Sequence, residues 1–185
     1  MEDELTDGRF GLREFRPGDA ALLYEAVRES LAELHPWMMW AHPGYSIEES
    51  REWLAARDRD RDEDVAYAFA IYDAADGRLL GGVGLNFIDR VHQRANLGYW
   101  VRTSATGRGA ATAATRLLAR YGLEKLGFQR IEVVAAVGNH ASLRVAEKAG
   151  AKREGVLRKG LLYHGVPHDA VLYSLVSEDF DDGEQ

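Results

Sequence analysis

The segment Thr106-Gly-Arg-Gly-Ala-Ala-Thr112 places glycine or alanine at 107, 109, 110 and 111, straight after the aromatic run Leu97-Gly-Tyr-Trp-Val101. A strand, a glycine-rich turn and a helix start in this order leave several backbone N–H groups without partners where the helix dipole is positive. Such a start suits a phosphate or pyrophosphate, and small side chains let the ligand approach the main chain closely. Three ligand classes compete for it. A nucleoside triphosphate loop needs Gly-Lys-Ser/Thr, and no lysine is present. A dinucleotide fingerprint needs Gly or Ala at its last position, where Thr112 stands, although Glu132 lies about 20 residues on. That turn also falls past the middle of the chain, leaving too little length for a doubly wound sheet. The third class is coenzyme A, with its pyrophosphate on the loop. A tight strand-to-helix turn that binds nothing is the fourth possibility.

Other chemistry-bearing residues are scattered. Asn139 and Ser142 stand where a side chain either caps a helix or reaches a ligand. His164 and His168 have an i, i+4 spacing that invites a zinc reading, but Gly165 and Pro167 forbid a regular helix between them. An exposed hairpin histidine describes each better, with a role through water as the alternative. Trp37, Met38, Trp40 and Tyr45 lie in an irregular segment, His35–Tyr45, where they wall a groove or fill core. No metal site is expected.

The elements that must position these residues follow from periodicity. Arg9–Arg16 reads as a strand. Asp19 can cap a helix whose apolar face is Leu23, Val27 and Leu31. Ser46-Ile-Glu-Glu49 has the form of a capping box, opening a helix with Trp53 and Leu54 that runs out in the charged stretch Asp58–Asp64. Val65, Tyr67, Phe69 and Ile71 alternate with alanines as in a strand, and Asp76-Gly77 turns the chain into another, Leu79–Ile88. Ala95–Val101 is the fourth strand. Arg108–Leu126 reads as a helix with Ala110, Ala114, Leu117, Leu118 and Tyr121 on one face and Gly127 just past its end. Ile131–Val137, apolar on both faces except for Glu132, is expected near the sheet centre. A shorter helix, His140–Ala149, closes at Gly150, and strands near Lys152–Leu162 and Ala170–Val176 form a hairpin through Tyr163–Pro167.

This order predicts a mixed α/β (α+β) domain with helices on both faces of one sheet. The expected organisation is a single domain over 1–185, with its core at 9–177 and an acidic tail at 178–185. Length and composition agree, since 185 residues with 46% hydrophobic and 29% charged side chains suffice for a soluble domain with a real core. The net charge of −7 argues against nucleic acid and weakly favours amine substrates. Cysteine is absent, so no disulfide, thiolate metal site or cysteine nucleophile exists in this chain. An acidic N-terminus, Met1-Glu-Asp-Glu-Leu5, and the lack of a long apolar run predict a cytoplasmic protein without a membrane segment.

Taken together, the motifs resemble the GNAT acetyltransferase superfamily, in its ribosomal-protein and N-terminal-residue branch. The family's pyrophosphate loop, Gln/Arg-x-x-Gly-x-Gly/Ala, is matched by Gly109 and Ala111, with Thr106 in place of Gln or Arg. Leu97–Val101 resembles the fourth strand of the family. Val137-Gly-Asn-His-Ala-Ser142, with Arg144 and Glu147-Lys-Ala-Gly150, resembles the segment Asn-x-x-Ser…Glu-Lys-x-Gly-Phe, with Ala151 replacing Phe. His35–Trp40 and Ser46–Ser50 resemble the acceptor-groove segments, and Glu154-Gly155, Gly165, Asp169 and Tyr173–Leu175 resemble the closing hairpin. The likeness spans residues 9–177.

The resemblance implies a mostly antiparallel sheet of about seven strands, splayed between the fourth (Ala95–Val101) and the fifth (Ile131–Val137). It implies acetyl-CoA as cosubstrate and direct attack of a neutral amine on its thioester. The N–H groups of Arg108, Gly109, Ala110, Ala111 and Thr112 would cradle the pyrophosphate, and the backbone of Trp100, Val101 and Arg102, with Asn139, would pair with pantetheine. The Val101 N–H would stabilise the oxyanion and Ser142 the leaving thiolate; Trp37, Trp40 and Tyr45 would line the acceptor groove. Two family positions that carry a glutamate base are Asn96 and Leu161 here. A protein α-amine near pKa 7.8 is roughly a tenth neutral at pH 7, against under about 0.1% for a lysine near 10.4. A chain without a dedicated base therefore suits a protein N-terminus. A small amine such as a polyamine or antibiotic, and an acetyl-CoA sensor without turnover, are the alternatives. A homodimer is expected by resemblance alone.

Overall fold

The computed structural model describes residues 5–180. Its strands are β1 (Leu5–Thr6), β2 (Phe10–Glu14), β3 (Tyr67–Asp73), β4 (Leu79–Asp89), β5 (Arg94–Val101), β6 (Arg130–Ala136), β7 (Lys152–Tyr163) and β8 (Val166–Leu175). The helices are α1 (Ala20–Glu29), α2 (Leu31–Leu34), α3 (Ile47–Ala55), α4 (Arg57–Asp62), α5 (Ala110–Glu124) and α6 (His140–Lys148). All eight strands join one sheet in the order β1-β2-β3-β4-β5-β6-β8-β7. Every pairing is antiparallel except β5 with β6. The strand beyond the seven expected is β1, whose two residues carry no period to read. Of the acidic tail, residues 181–185 lie outside the described residues.

Two cores sandwich the sheet. On one face α5 buries Ala110, Ala114, Leu118 and Leu123 against Leu85, Leu97 and Ile131. A fully buried leucine such as Leu118 is worth about 1.5–3 kcal/mol. On the other face α1 and α3 press Leu23, Val27 and Leu54 onto Phe15, Ala70 and Leu79. β6 lies between β5 and β8, with Ile131, Val133 and Ala135 buried, as its apolar sequence requires.

Local signals were realised unevenly. The Ser46 side chain accepts from the Glu49 N–H at 3.3 Å while Glu49 Oε2 accepts from the Ser46 N–H at 2.8 Å, which is the reciprocal cap the sequence announces. Asp19 precedes α1, but its carboxylate instead accepts from the Arg16 N–H at 2.8 Å and from the Arg13 guanidinium. The helix expected to run out in Asp58–Asp64 ends at Ala55, and a separate helix, α4, follows at Arg57–Asp62, where Arg57 bridges to Asp60 at 2.7 Å. β8 begins at Val166, four residues before the expected start, because a two-residue turn at His164 and Gly165, both with positive φ, suffices.

Candidate active site

β5 and β6 pair only where Arg94–Asn96 meet Arg130–Glu132. Past that point β5 remains joined to β4 as far as Val101, and β6 to β8 as far as Ala136. The two strands therefore splay apart inside the sheet, as the resemblance implies. The edges of this wedge carry backbone groups without a strand partner, an arrangement a folded protein retains where something else satisfies them.

Which groups face the wedge follows from one hydrogen bond. The Arg102 N–H donates to the Leu80 carbonyl at 2.7 Å. Facing directions alternate along an antiparallel pair. With Trp100 opposite Gly82 and Val101 opposite Gly81, the backbone of Trp100 and Arg102 turns to β4, while that of Tyr99 and Val101 turns into the wedge. The expectation that all of Trp100–Arg102 meets pantetheine is corrected for two of the three: the backbone of Trp100 and Arg102 is committed to the sheet, and the groups open to the wedge are those of Tyr99 and Val101.

Arg102 is instead the post that anchors the loop. Its buried guanidinium donates to Glu25 at 2.9 Å, to Glu29 and to the Leu79 carbonyl. Glu29 also accepts from the Ser104 N–H at 2.7 Å, and Ser30 Oγ from the Thr103 N–H at 2.9 Å. The Arg102 hydrogen bond, followed by that of Ser104, pulls the Glu29 carboxyl down to about 2.

Beyond this anchor, Gly107 (φ 74°) and Gly109 (φ 95°) take the left-handed backbone that favours glycine. An added Cβ at either would meet open space, so conformation rather than crowding selects glycine there. Gly109 is the N-cap of α5 without a side-chain cap, and the Ala113 N–H returns to the Gly109 carbonyl at 3.0 Å. The N–H groups of the first turn, those of Ala110, Ala111 and Thr112, thus point out of the helix start. This open, cap-free start fits a pyrophosphate.

Across the wedge, Asn139 Oδ1 accepts from the Ser142 N–H at 3.1 Å and caps α6. The capping reading of Asn139 is realised, and its amide nitrogen is the part left for a ligand. Tyr99 OH donates to the Ser142 carbonyl at 2.9 Å and lies 3.0 Å from Ser142 Oγ. Burial pushes the Tyr99 phenol up to about 12. No sequence signal beyond its place in Gly-Tyr-Trp marked this residue.

The opposite face of the sheet carries a cleft of about 490 Å³. Its floor is made of small residues, Ala66 and Ala68 on the approach to and start of β3, Gly82 and Gly84 on β4, and Gly98 on β5. Trp40, Tyr45, Trp53 and Trp100 supply walls, with Trp40 edge-on to Trp100 at 5.8 Å between ring centroids. Trp40 and Tyr45, expected together with Trp37 along one groove, both line this cleft, and Tyr45 is buried with its hydroxyl held 2.9 Å from Ser50 Oγ. Trp37 does not line this cleft. It packs edge-on to Tyr163 at 6.1 Å beside Gly138, helping to fasten the β7–β8 hairpin to the loop after α2. His164 completes that fastening, its Nε2–H donating to the His35 carbonyl at 2.8 Å. That bond occupies Nε2 of His164, and no group of three or more potential metal ligands occurs among the described residues.

At the two positions without a carboxylate, Asn96 donates its amide to Asn86 Oδ1 at 2.9 Å, and Leu161 pairs with His168 in the hairpin. A carboxylate lines the cleft from elsewhere. Glu49 Oε1 accepts from His42 Nε2–H at 2.7 Å, and its Oε2 accepts from the Ser46 N–H and hydroxyl at 2.8 and 3.0 Å. The His42 bond, then the Ser46 N–H, holds Glu49 below the usual carboxylate range. Glu49, Trp53 and Arg57 recur at i, i+4 and i+8 and all line the cleft. That spacing was legible in the sequence, where Glu49 was read only as half of a cap.

A splayed mixed sheet, a glycine-capped helix start and a cleft on the other face are the frame that an acyl-CoA-dependent transferase needs. The chain belongs to the GNAT acetyltransferase family, whose domain it matches over residues 9–152, and it is an acetyl-CoA-dependent N-acetyltransferase. It is 34% identical over 172 residues to the provisionally named ribosomal N-acetyltransferase YdaF of Bacillus subtilis (strain 168), covering 92% of each chain. It is 23% identical over 154 residues to the ribosomal-protein-serine acetyltransferase of Escherichia coli (strain K12), covering 83% of this chain and 85% of that one. Among solved structures, the microcin C7 self-immunity acetyltransferase MccE, in complex with acetyl-CoA and AMP, superimposes with a TM-score of 0.84. The two are 26% identical over 94% of this chain and 98% of that one. No helix among the described residues is long and apolar enough to cross a membrane.

Proposed function

We propose that this chain acetylates the N-terminal α-amine of a protein, by direct attack of the neutral amine on the acetyl thioester. The observation that carries the acyl-transfer part is the wedge between β5 and β6. The Val101 N–H faces it, at the strand end nearest the loop before α5. In this reading the N–H groups at Arg108–Thr112 hold the pyrophosphate, and Tyr99, Val101 and the Asn139 amide hold pantetheine. The Val101 N–H donates to the carbonyl oxygen as negative charge gathers on it. The carbon–nitrogen bond forms as the carbonyl opens to the oxyanion, and the carbon–sulfur bond breaks as that carbonyl closes again. The amine proton leaves through water, and the sulfur departs toward the Ser142 hydroxyl, which Tyr99 keeps at the mouth of the wedge.

The choice of an α-amine is supported by Asn96 and Leu161, which stand where a base would be carried. An acceptor that is already partly neutral at pH 7 needs no strong base. Relatives named for ribosomal-protein acetylation agree with this choice. The test begins with calorimetric titration of the protein with acetyl-CoA, using NAD and ADP as controls. Peptides with free N-termini are then compared with N-blocked peptides that carry lysine, and with small amines, by mass spectrometry. Selective acetylation at the free N-terminus is the expected result. Robust turnover of lysine side chains near neutral pH would overturn the acceptor assignment, and binding without turnover of any amine would leave a sensor.

A further inference from the structure

The carboxylate of Glu49 sits in the wall of the acceptor cleft, yet no step of the reaction above uses it. It belongs to α3, which packs on α1, whereas the Val101 N–H belongs to β5 in the sheet. Rings of Tyr45, Trp40 and Trp100, each 5.8–6.1 Å from the next, run along the cleft from the loop before α3 to β5. The reaction above assigns the attacking nitrogen to the Val101 end of the wedge, so a group held at Glu49 is a second group of the acceptor.

The hydrogen bonds of Glu49 fix both its place and its charge. A carboxylate only accepts, so His42 Nε2 is the donor at 2.7 Å, and the Ser46 N–H and hydroxyl occupy Oε2. Oε1, with a single donor, keeps acceptor capacity, and Glu49 lines the cleft. Neighbouring aromatic faces favour the same kind of guest, because the ring quadrupole attracts cations. Trp40 is among the exposed large side chains here, while the face of Trp53 is already covered by the Arg57 guanidinium at 4.2 Å. Arg57 is itself paired with Asp60, so Glu49 is the end of this helix face that offers negative charge.

Resting on the acceptor reading above, the geometry points to Glu49 as a specificity residue that binds a second cationic group of the acceptor, an ammonium or guanidinium carried beside the reacting amine. In a protein acceptor that group is a lysine or arginine side chain close behind the N-terminal residue; in a small molecule it is the far nitrogen of a diamine. Glu49→Gln is a clean probe, since glutamine preserves the capping box while removing the charge.

The experiment measures kcat/KM for the full chain with two N-terminal peptides that differ only in lysine or glutamine at the second position. The same pair is measured with Glu49→Gln, and a diamine and a monoamine of equal length form a second arm. Wild type is expected to prefer the lysine peptide about fivefold, through KM, as suits a partly exposed ion pair. In Glu49→Gln the ratio falls to about one. A ratio near one in the wild type, with both peptides acetylated, overturns the Glu49 assignment and leaves the N-terminal reading standing. Turnover of the diamine alone, with the diamine preference lost in Glu49→Gln, does the reverse: it overturns the N-terminal reading and supports the cation subsite.

Discussion

The Tyr99 hydroxyl, on β5, spans the mouth of the wedge to the first turn of α6, donating to the Ser142 carbonyl at 2.9 Å and lying 3.0 Å from the Ser142 hydroxyl. A sheet residue thereby sets the position of the serine proposed to meet the leaving sulfur. Tyr99→Phe keeps the ring and deletes these bonds. The expected cost is about 1 kcal/mol of stability, read by urea denaturation. A larger fall in kcat than in acetyl-CoA affinity is expected if Ser142 is positioned through Tyr99. Unchanged kcat would reduce Tyr99 to a packing residue.

Two glycines of the cleft floor should respond in opposite ways to alanine. A Cβ on Gly84 would come within 2.8 Å of the Tyr67 carbonyl, part of a backbone that cannot yield cheaply. A Cβ on Gly98 would meet nothing closer than the Asn86 amide at 3.7 Å and would project into the cleft. Gly84→Ala is expected to lose about 1–3 kcal/mol of stability. Gly98→Ala should change stability little and raise the acceptor KM. Melting curves and steady-state kinetics on the two variants separate these effects.

Gly109 holds the N-cap of α5 at φ 95°. Alanine there must either take a left-handed backbone, at about 1–2 kcal/mol, or relax the loop. Either outcome misaligns the N–H groups of Ala110, Ala111 and Thr112, so calorimetry should show acetyl-CoA binding weakened by at least about tenfold in Gly109→Ala. Equal affinity would remove the loop from the binding site.

The loop anchor should be sensitive to acid. The folded carboxyl of Glu29 is held near 2, below its ordinary 4.5, chiefly by the Arg102 hydrogen bond. A depressed carboxylate stabilises the fold fully above the unfolded value and loses that contribution as pH falls toward the folded one. Between pH 4.5 and 2, unfolding free energy of the wild type should therefore decline more steeply than that of Glu29→Gln. The variant should be the weaker protein at pH 7, because Arg102 loses its charged partner. Parallel slopes in denaturant titrations across this range would contradict the assignment.

The cation subsite and the choice of acceptor meet at α3. Its first turn was legible as a capping box, because Ser46 and Glu49 interact through local backbone groups that spacing alone places. That Glu49 also enters a cleft depends on where α3 lands on the sheet, and periodicity does not encode that position. Trp37 and Trp40 show the same limit. They are three residues apart in one irregular loop, yet Trp40 meets Trp100 at the cleft while Trp37 meets Tyr163 at the hairpin.

The primary structure by itself determined what short-range physics can carry. Alternation marked the strands, a 3.6-residue period marked α5, and the glycines at 107 and 109 marked the turn before it, whose left-handed backbone the structure supplied. The order of these signals was enough to expect a mixed sheet with helices on both faces, and the splay beside the fourth expected strand came only from the family resemblance. Tertiary structure decided which peptide groups face that splay, because facing depends on register, and a shift of one residue reverses every backbone direction. It also decided that Arg102 serves the loop through Glu29 from 73 residues away and that Tyr99 reaches Ser142 across 43. Such partners are brought together only when the sheet and helices pack, so their pairing is a property of the fold.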